Sequence, residues 1–358
     1  MRVVTVIGNR PQFVKAAAVS RVLRERHEEL LVHTGQHYDD ELSTIFVREL
    51  GVPAPERQLG IGGGSNTDQT ARQIAALEPL LAQEQADLVL VYGDTNSTLA
   101  GGLVAAQLGI PVAHVEAGMR SFDWTMPEEQ NRVLTDALSD LLLCPSQTAV
   151  DNLEREHPRG RIAYVGDVMV DVANLFRPRA AERTDVLERF SVEPGGFVAC
   201  TVHRAANVDD PLRLRRLVDL LLAVSYPLVL ALHPRTRARL ETAGWLDELA
   251  AGATLSPPLG YEEWTALLVH SHAVLTDSGG VQKEAFLARK RCVTLRDRTE
   301  WVETVESGWN TLVDLDAGAA LAALDRELPT EHPAPYGDGH AAELVVGELE
   351  RLASEQPS

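Results

Sequence analysis

Short apolar runs, each closed by a polar cluster and followed by a helical pattern, recur along this chain. They fall at residues 3–7, 30–33, 88–92, 111–115, 141–144 and 162–165, and again at 197–202, 228–232, 254–258, 273–276 and 292–295. Runs this short and this uniformly apolar read as strands buried on both faces, and strands alternating with helices build parallel sheets. Residues 177–196 break the rhythm: they are charged, carry proline and glycine near their ends and hold a helical stretch but no clean strand. The sequence therefore predicts an α/β chain of two Rossmann-like, doubly wound domains, residues 1–170 and 171–340, followed by an amphipathic helix from 341. Two such domains facing each other leave an interdomain cleft lined by strand-end side chains.

Composition narrows the class. The 358 residues suit about two domains. No apolar run approaches the ~20 residues of a membrane helix, and the opening MRVVTVIGNRP enters a strand with no signal-peptide pattern. Cys144, Cys200 and Cys292 are scattered and odd in number, which suits a reducing cytoplasm and excludes a cysteine zinc site. His270 and His272 lack further ligands at metal spacing. A net charge of -19 argues against nucleic acid as a partner. A small anion would need cations gathered locally.

Residues 273–296 supply the clearest site for one. The unit reads strand, turn Asp277-Ser278-Gly279-Gly280, helix, strand. Free amides and the positive helix end meet at such a turn, which suits a phosphate, and the glycines allow close approach. Ser278 is placed to cap the helix; an ordinary capped turn is the plainer alternative. Gly8-Asn9-Arg10-Pro11 also lies at a strand end, with Pro11 at the start of a helix running to about residue 26. Arg10 and Lys15 could hold a diphosphate there, or be surface cations. Asp94 and Glu116 stand at the carboxyl ends of neighbouring strands, as candidates for proton transfer or as loop caps. Glu128 and Arg132 share a face of a proline-started helix. His203, followed by Arg204, is a phosphate ligand, an acid or a structural histidine. The glycine-rich stretch 60–65 reads as a connector, with Asn66 or Thr67 capping the next helix, and 41–50 reads as a helix.

Taken in order, these motifs resemble the non-hydrolysing UDP-N-acetylglucosamine 2-epimerases over nearly the whole chain. The likeness runs from Gly8-Asn9-Arg10-Pro11 with Lys15 through Gly93-Asp94-Thr95, His114-Val115-Glu116-Ala117-Gly118 and Pro127-Glu128-Glu129 with Asn131-Arg132. It continues through Val202-His203-Arg204, Thr276-Asp277-Ser278-Gly279-Gly280 to Glu284, Leu295-Arg296-Asp297 with Thr299-Glu300, and Pro335-Tyr336-Gly337-Asp338-Gly339. The resemblance implies a glycosyltransferase-B-like fold, with the last helix (about 341–358) packing back on the first domain, a homodimer, and neither metal nor NAD. It implies reversible inversion at C2 of UDP-GlcNAc to UDP-ManNAc. The C2 proton leaves, UDP is expelled to give 2-acetamidoglucal, and UDP adds back. Asp94, Glu116 and Glu128 would carry protons. Arg10, Lys15, His203, Ser278, Gly279, Gly280 and Arg296 would meet the diphosphate, Glu284 the ribose, and Arg132 would orient Glu128 or touch substrate.

Three departures stand out. Ala206 replaces a glutamate common in relatives, and residues 122–126 form a shorter segment than in some. At Gln36-His37-Tyr38, where relatives with Gln-His-Arg bind a second UDP-GlcNAc as activator, Tyr38 lacks the charge. Competing readings are a UDP-sugar glycosyltransferase of the same architecture, a hydrolysing relative, a sensor without catalysis, and an epimerase of a diacetamido uronic acid or deoxy sugar.

Overall fold

A computed structural model of the protein describes residues 1–35 and 53–355, with Arg10 described as backbone only. The chain divides into two compact units, Met1–Val172 with Ala334–Ser358, and Ala173–Pro333. The expected helix at 41–50 and the loop residues Gln36, His37 and Tyr38 lie outside the described residues.

The first unit is built on seven strands. They are β1 (Arg2–Ile7), β2 (Glu28–His33), β3 (Arg57–Gln58), β4 (Leu88–Tyr92), β5 (Val112–Val115), β6 (Leu141–Cys144) and β7 (Arg161–Tyr164). Their order is β3-β2-β1-β4-β5-β6-β7, with every pairing parallel. β4, β5 and β6 are buried along their whole length, as expected for runs covered by helices on both faces. Val4, Val6, Leu30, Val32, Val89 and Val91 pack with Leu77, Leu81, Ala100 and Val104 into one core.

The second unit repeats the plan with β8 (Val198–Thr201), β9 (Leu228–Ala231), β10 (Thr254–Ser256), β11 (Ala273–Thr276), β12 (Arg291–Thr294) and β13 (Asn310–Leu312). The order is β10-β9-β8-β11-β12-β13, again parallel throughout. In both sheets the winding reverses beside the first strand, between β1 and β4 and between β8 and β11. Ligands of open α/β sheets bind outside strand carboxyl ends at such reversals. Register decides which side chains meet there. Tyr92 pairs with Val115 and Thr276 with Thr201, so Gly93-Asp94 adjoins Glu116, and Asp277-Ser278 adjoins the turn that carries His203.

Several local expectations need correction. Ser65, not Asn66 or Thr67, caps helix Asn66–Glu84; its Oγ accepts from Asp68 N at 3.2 Å. Residues 177–196 hold two helices, the end of Val168–Glu182 and Asp185–Phe190. The sheet of the second unit extends past β12 to β13, whose three residues are too few to show a strand pattern. The helix after β12 begins only at Val302, with Thr299 folded back so that its Oγ1 accepts from Trp301 N.

Candidate active site

In the first unit the turn after β1 allows no side chain at Gly8. A Cβ there would lie 1.9 Å from Ser97 Oγ. Asn9 caps helix Arg10–Arg26 through Gln12 N. Gln12 then ties this turn to β4: its Oε1 accepts from Gly8 N at 2.7 Å and its Nε2 donates to Tyr92 O at 2.7 Å. Arg10 Cα therefore starts a helix fixed against β4, while its guanidinium lies outside the described residues.

Lys15 reaches Glu116, and the two charges form an ion pair. They meet beside Gly93, where a Cβ would stand 3.1 Å from Glu116 Oε2 and 3.2 Å from Lys15 Nζ. Glu116 has φ +72°, a left-handed conformation uncommon for a residue with a side chain. Such a conformation costs on the order of 1–3 kcal/mol and gathers at functional sites. Here it turns the carboxylate at the end of β5 toward Lys15.

Asp94 is held by Arg132. The same guanidinium donates to Glu129 Oε2 at 2.9 Å, so the ion pair on helix Pro127–Leu138 joins Arg132 to the residue three back. The pairing anticipated from spacing was Glu128, four back, which sits half-buried in the first turn. Glu129 is buried and also accepts from Ser121 N, Ser121 Oγ and Phe122 N, at 2.9, 2.9 and 2.8 Å. It shapes the loop before the helix as well as anchoring Arg132. The signal for it lay in the sequence: Glu129, Arg132 and Asp136 recur at helical spacing as a polar stripe.

Asp136 belongs to a buried layer beneath these residues. Its Oδ1 faces His114 Nδ1 at 2.7 Å and its Oδ2 accepts from Arg120 Nη1 at 2.7 Å and Gly118 N at 3.1 Å. Burial pushes the Asp136 carboxyl up, but His114 and Arg120 outweigh it and hold it below the ordinary carboxylate range. His114 Nε2 lies 2.7 Å from Gly93 O, so this layer supports the turn that carries Asp94.

The second unit is organised differently. Asp277 is fully buried and its carboxylate accepts from His203 N, Arg204 N and Asn207 Nδ2. The His203 ring stands 3.8 Å from Asp277 Oδ1 and 5.2 Å, centroid to centroid, from the ring of His233. Ser278 occupies the cap position of helix Gly279–Leu287, yet its hydroxyl makes no bond to the helix amides; the expected cap is absent. Its backbone N donates instead to Thr276 Oγ1 at 3.0 Å. Gly280 is exposed and a Cβ there would meet nothing within 4 Å. Gly279 is different: a Cβ would lie 2.2 Å from Glu300 Oε1. Glu300 is buried, pairs with Arg296 at 3.0 Å and lies 4.0 Å from Arg204. Glu284 Oε2 accepts from Trp264 Nε1 at 3.0 Å.

The site residues thus fall in two groups. Lys15, Asp94, Glu116 and Arg132 gather at the ends of β4 and β5 in the first unit, and Glu128 lies in the first turn of helix Pro127–Leu138. His203, Ser278, Gly279, Gly280, Glu284 and Arg296 surround the ends of β8, β11 and β12 in the second. Sequence reasoning passed over Glu129, Asp136, Asp277 and Glu300 as ligand-shaping groups, since a carboxylate that accepts from backbone amides looks like any other in a sequence.

A family model described as UDP-N-acetylglucosamine 2-epimerase matches residues 21–350. A UDP-2,3-diacetamido-2,3-dideoxy-D-glucuronate 2-epimerase of Pseudomonas aeruginosa is 45% identical, over 98% of this chain and 100% of its own. A UDP-N-acetylglucosamine 2-epimerase of Methanocaldococcus jannaschii is 38% identical, over 97% and 98%. Among solved structures, the M. jannaschii UDP-GlcNAc 2-epimerase in complex with UDP-GlcNAc and UDP superposes with a TM-score of 0.92 at 37% identity, covering 98% of this chain and 100% of that one. The Neisseria meningitidis enzyme bound to UDP-GlcNAc gives 0.87 at 27%, covering 98% and 100%.

Proposed function

The chain belongs to the UDP-N-acetylglucosamine 2-epimerase family, and from that premise we propose that it interconverts UDP-GlcNAc and UDP-ManNAc. The observation that carries the reading is the meeting of two carboxylates, each with its own cation, at adjacent strand ends: Glu116 with Lys15, and Asp94 with Arg132.

C2 of the sugar is a weak carbon acid. Its proton leaves only as the C1–O bond to UDP breaks, so the developing charge passes to the diphosphate rather than resting on carbon. Removal on one face and return on the other require two proton carriers. Asp94, Glu116 and Glu128 are the groups available. The departing diphosphate needs preorganised donors. Ser278, whose hydroxyl is not spent on capping, the Gly279 and Gly280 amides, Arg10, His203 and Arg296 would provide them. Glu284 would accept from the ribose hydroxyls. After UDP leaves, 2-acetamidoglucal must stay bound until UDP adds back.

A second reading has a specific observation in its favour. The diacetamido-glucuronate relative shares 45% identity against 38% for the UDP-GlcNAc relative. On that reading the substrate is a UDP-2-acetamido sugar with a further 3-acetamido group and a C6 carboxylate, and the C2 chemistry is unchanged. On either reading the protein works in the cytoplasm as a homodimer without metal or NAD.

Incubation with each UDP-sugar in heavy water, followed by proton NMR, separates the readings. A second anomeric N-acetyl signal together with deuterium at C2 is expected. The substrate with the larger kcat/KM is the physiological class. Deuterium absent from C2 with both sugars would overturn the epimerase reading, and UDP release dependent on an added acceptor would replace it with glycosyl transfer.

A further inference from the structure

We propose that Asp277 is the positioning residue for the whole diphosphate cradle of the second unit, an inference that rests on the UDP-sugar reading above. Its carboxylate sits at the end of β11 with no exposure to solvent. Both oxygens are taken by N–H donors. Oδ1 accepts from His203 N at 3.0 Å; Oδ2 accepts from Arg204 N at 2.9 Å, from Asn207 Nδ2 at 3.1 Å and, at 3.2 Å, from the shared His203 N. Asn207 is itself buried, and its Nδ2 also donates to Leu295 O at 2.9 Å. Its Oδ1 accepts from Arg213 Nη2 at 2.9 Å, which fixes the orientation of the amide.

One carboxylate therefore joins three strand ends. Through His203 and Arg204 it holds the turn after β8. Through its own backbone it holds Ser278-Gly279-Gly280. Through Asn207 it holds Leu295, the residue before Arg296. Every candidate phosphate ligand of this unit other than a helix residue lies within one or two residues of a group bonded in this network. Two consequences follow. Both Asp277 oxygens accept from N–H donors of this unit, so its part is to position the turns. The His203 and Arg204 amides are spent on it, so ligand oxygens must be met by side chains and by the glycine turn.

An ionised carboxylate alone fits four such donor contacts. In Asp277→Asn, whichever way the amide points, one NH2 faces a backbone N–H and at least one tie is lost. Hydrogen bonds to charged groups are strong enough that UDP affinity should fall by about 10- to 100-fold.

The test is titration calorimetry of the full chain with UDP as the probe, paired with steady-state epimerisation. Asp277→Asn is expected to raise the UDP Kd about 30-fold and to raise KM more than it lowers kcat. Asn207→Ser should give a smaller rise, as only the link to Leu295 and one donor are removed. Leu217→Ala, in the core of the same unit, lowers thermal stability without touching the network and should leave UDP Kd within about twofold. An Asp277→Asn chain that binds UDP as tightly as wild type, or a Leu217→Ala chain that loses UDP in proportion to its stability, would overturn the proposal. If Asp277→Asn does not fold, an unchanged Kd in Asn207→Ser does the same. Wild-type chain that binds UDP but puts no deuterium on C2 would sink the epimerase reading and leave the Kd comparison standing.

Discussion

The two sheets share a winding order, but the loops at their reversals are held by different means. In the first unit, side-chain charge meets side-chain charge: Lys15 with Glu116, Arg132 with Asp94 and Glu129, Arg120 and His114 with Asp136. In the second, backbone amides converge on Asp277, and an exposed glycine stands at the helix start. On the proposed reaction, the contrast matches what each set of loops would have to do. Carboxylates that gain and lose protons need partners whose charge stays put while their own changes. An anion that arrives and leaves with its charge intact needs donors already aimed, and backbone amides locked by a buried acceptor reorganise least.

Four measurements would break or sharpen that contrast. Replacing Asp94 or Glu116 by its amide should lower kcat by about 10²- to 10⁴-fold, the usual worth of a positioned acid or base, with UDP Kd nearly unchanged by calorimetry. A comparable loss of UDP binding would dissolve the division between the units. Removing the Glu129 carboxylate as alanine leaves Arg132 buried without one of its two partners and Ser121 and Phe122 without an acceptor. Breaking a buried pair this way should lower unfolding stability by about 3 kcal/mol, read by urea denaturation. Ser278→Ala should weaken UDP binding by about tenfold and leave thermal stability unchanged, because no cap is lost; a clear drop in Tm would mean that the hydroxyl caps after all. Acid provides the smallest effect. The Asp136 carboxyl titrates below its unfolded value of about 3.9, so the stability it lends is full above that pH and is lost as pH falls through the folded value. A Tm profile from pH 7 to 3 should therefore steepen below about pH 4 in wild type and be flatter in Asp136→Asn.

Sequence reading captured the regular parts of this molecule because their cause is local. The runs at residues 88–92, 141–144 and 273–276 became strands with those bounds: an unbroken apolar run admits few other uses. Pro11 marked the first helix for an equally local reason. The misses share a different cause. Ser65 capped in place of Asn66 because Asn66 Oδ1 accepts from Asn96 across the fold, a partner 30 residues away. Glu129 shares the helical stripe of Arg132 and Asp136, but i,i+4 spacing alone pointed to Glu128, and the loop at Ser121 and Phe122 adds to the buried role of Glu129. Asp277 was visible as part of a glycine turn, while its donors come from the turn after β8, more than 70 residues earlier. Pairings of that range are set by sheet order, which local patterning does not encode.

The chain quits its first sheet after Val172 and rejoins that unit at Ala334. Its closing helix Ala341–Glu355 buries Val345, Val346 and Leu349 and meets the first helix through Glu350 and His27, 3.0 Å apart. The cap on that helix is Asp171, whose carboxylate accepts from Ala341 N and Ala342 N. A ribosome extrudes these cover residues after both sheets have been made. During synthesis the inserted lobe can finish while the opening lobe still lacks a layer, so the earliest-made half of the protein is the later to mature. Trimming from residue 341 onward should therefore expose apolar surface on the opening lobe and spare the inserted one.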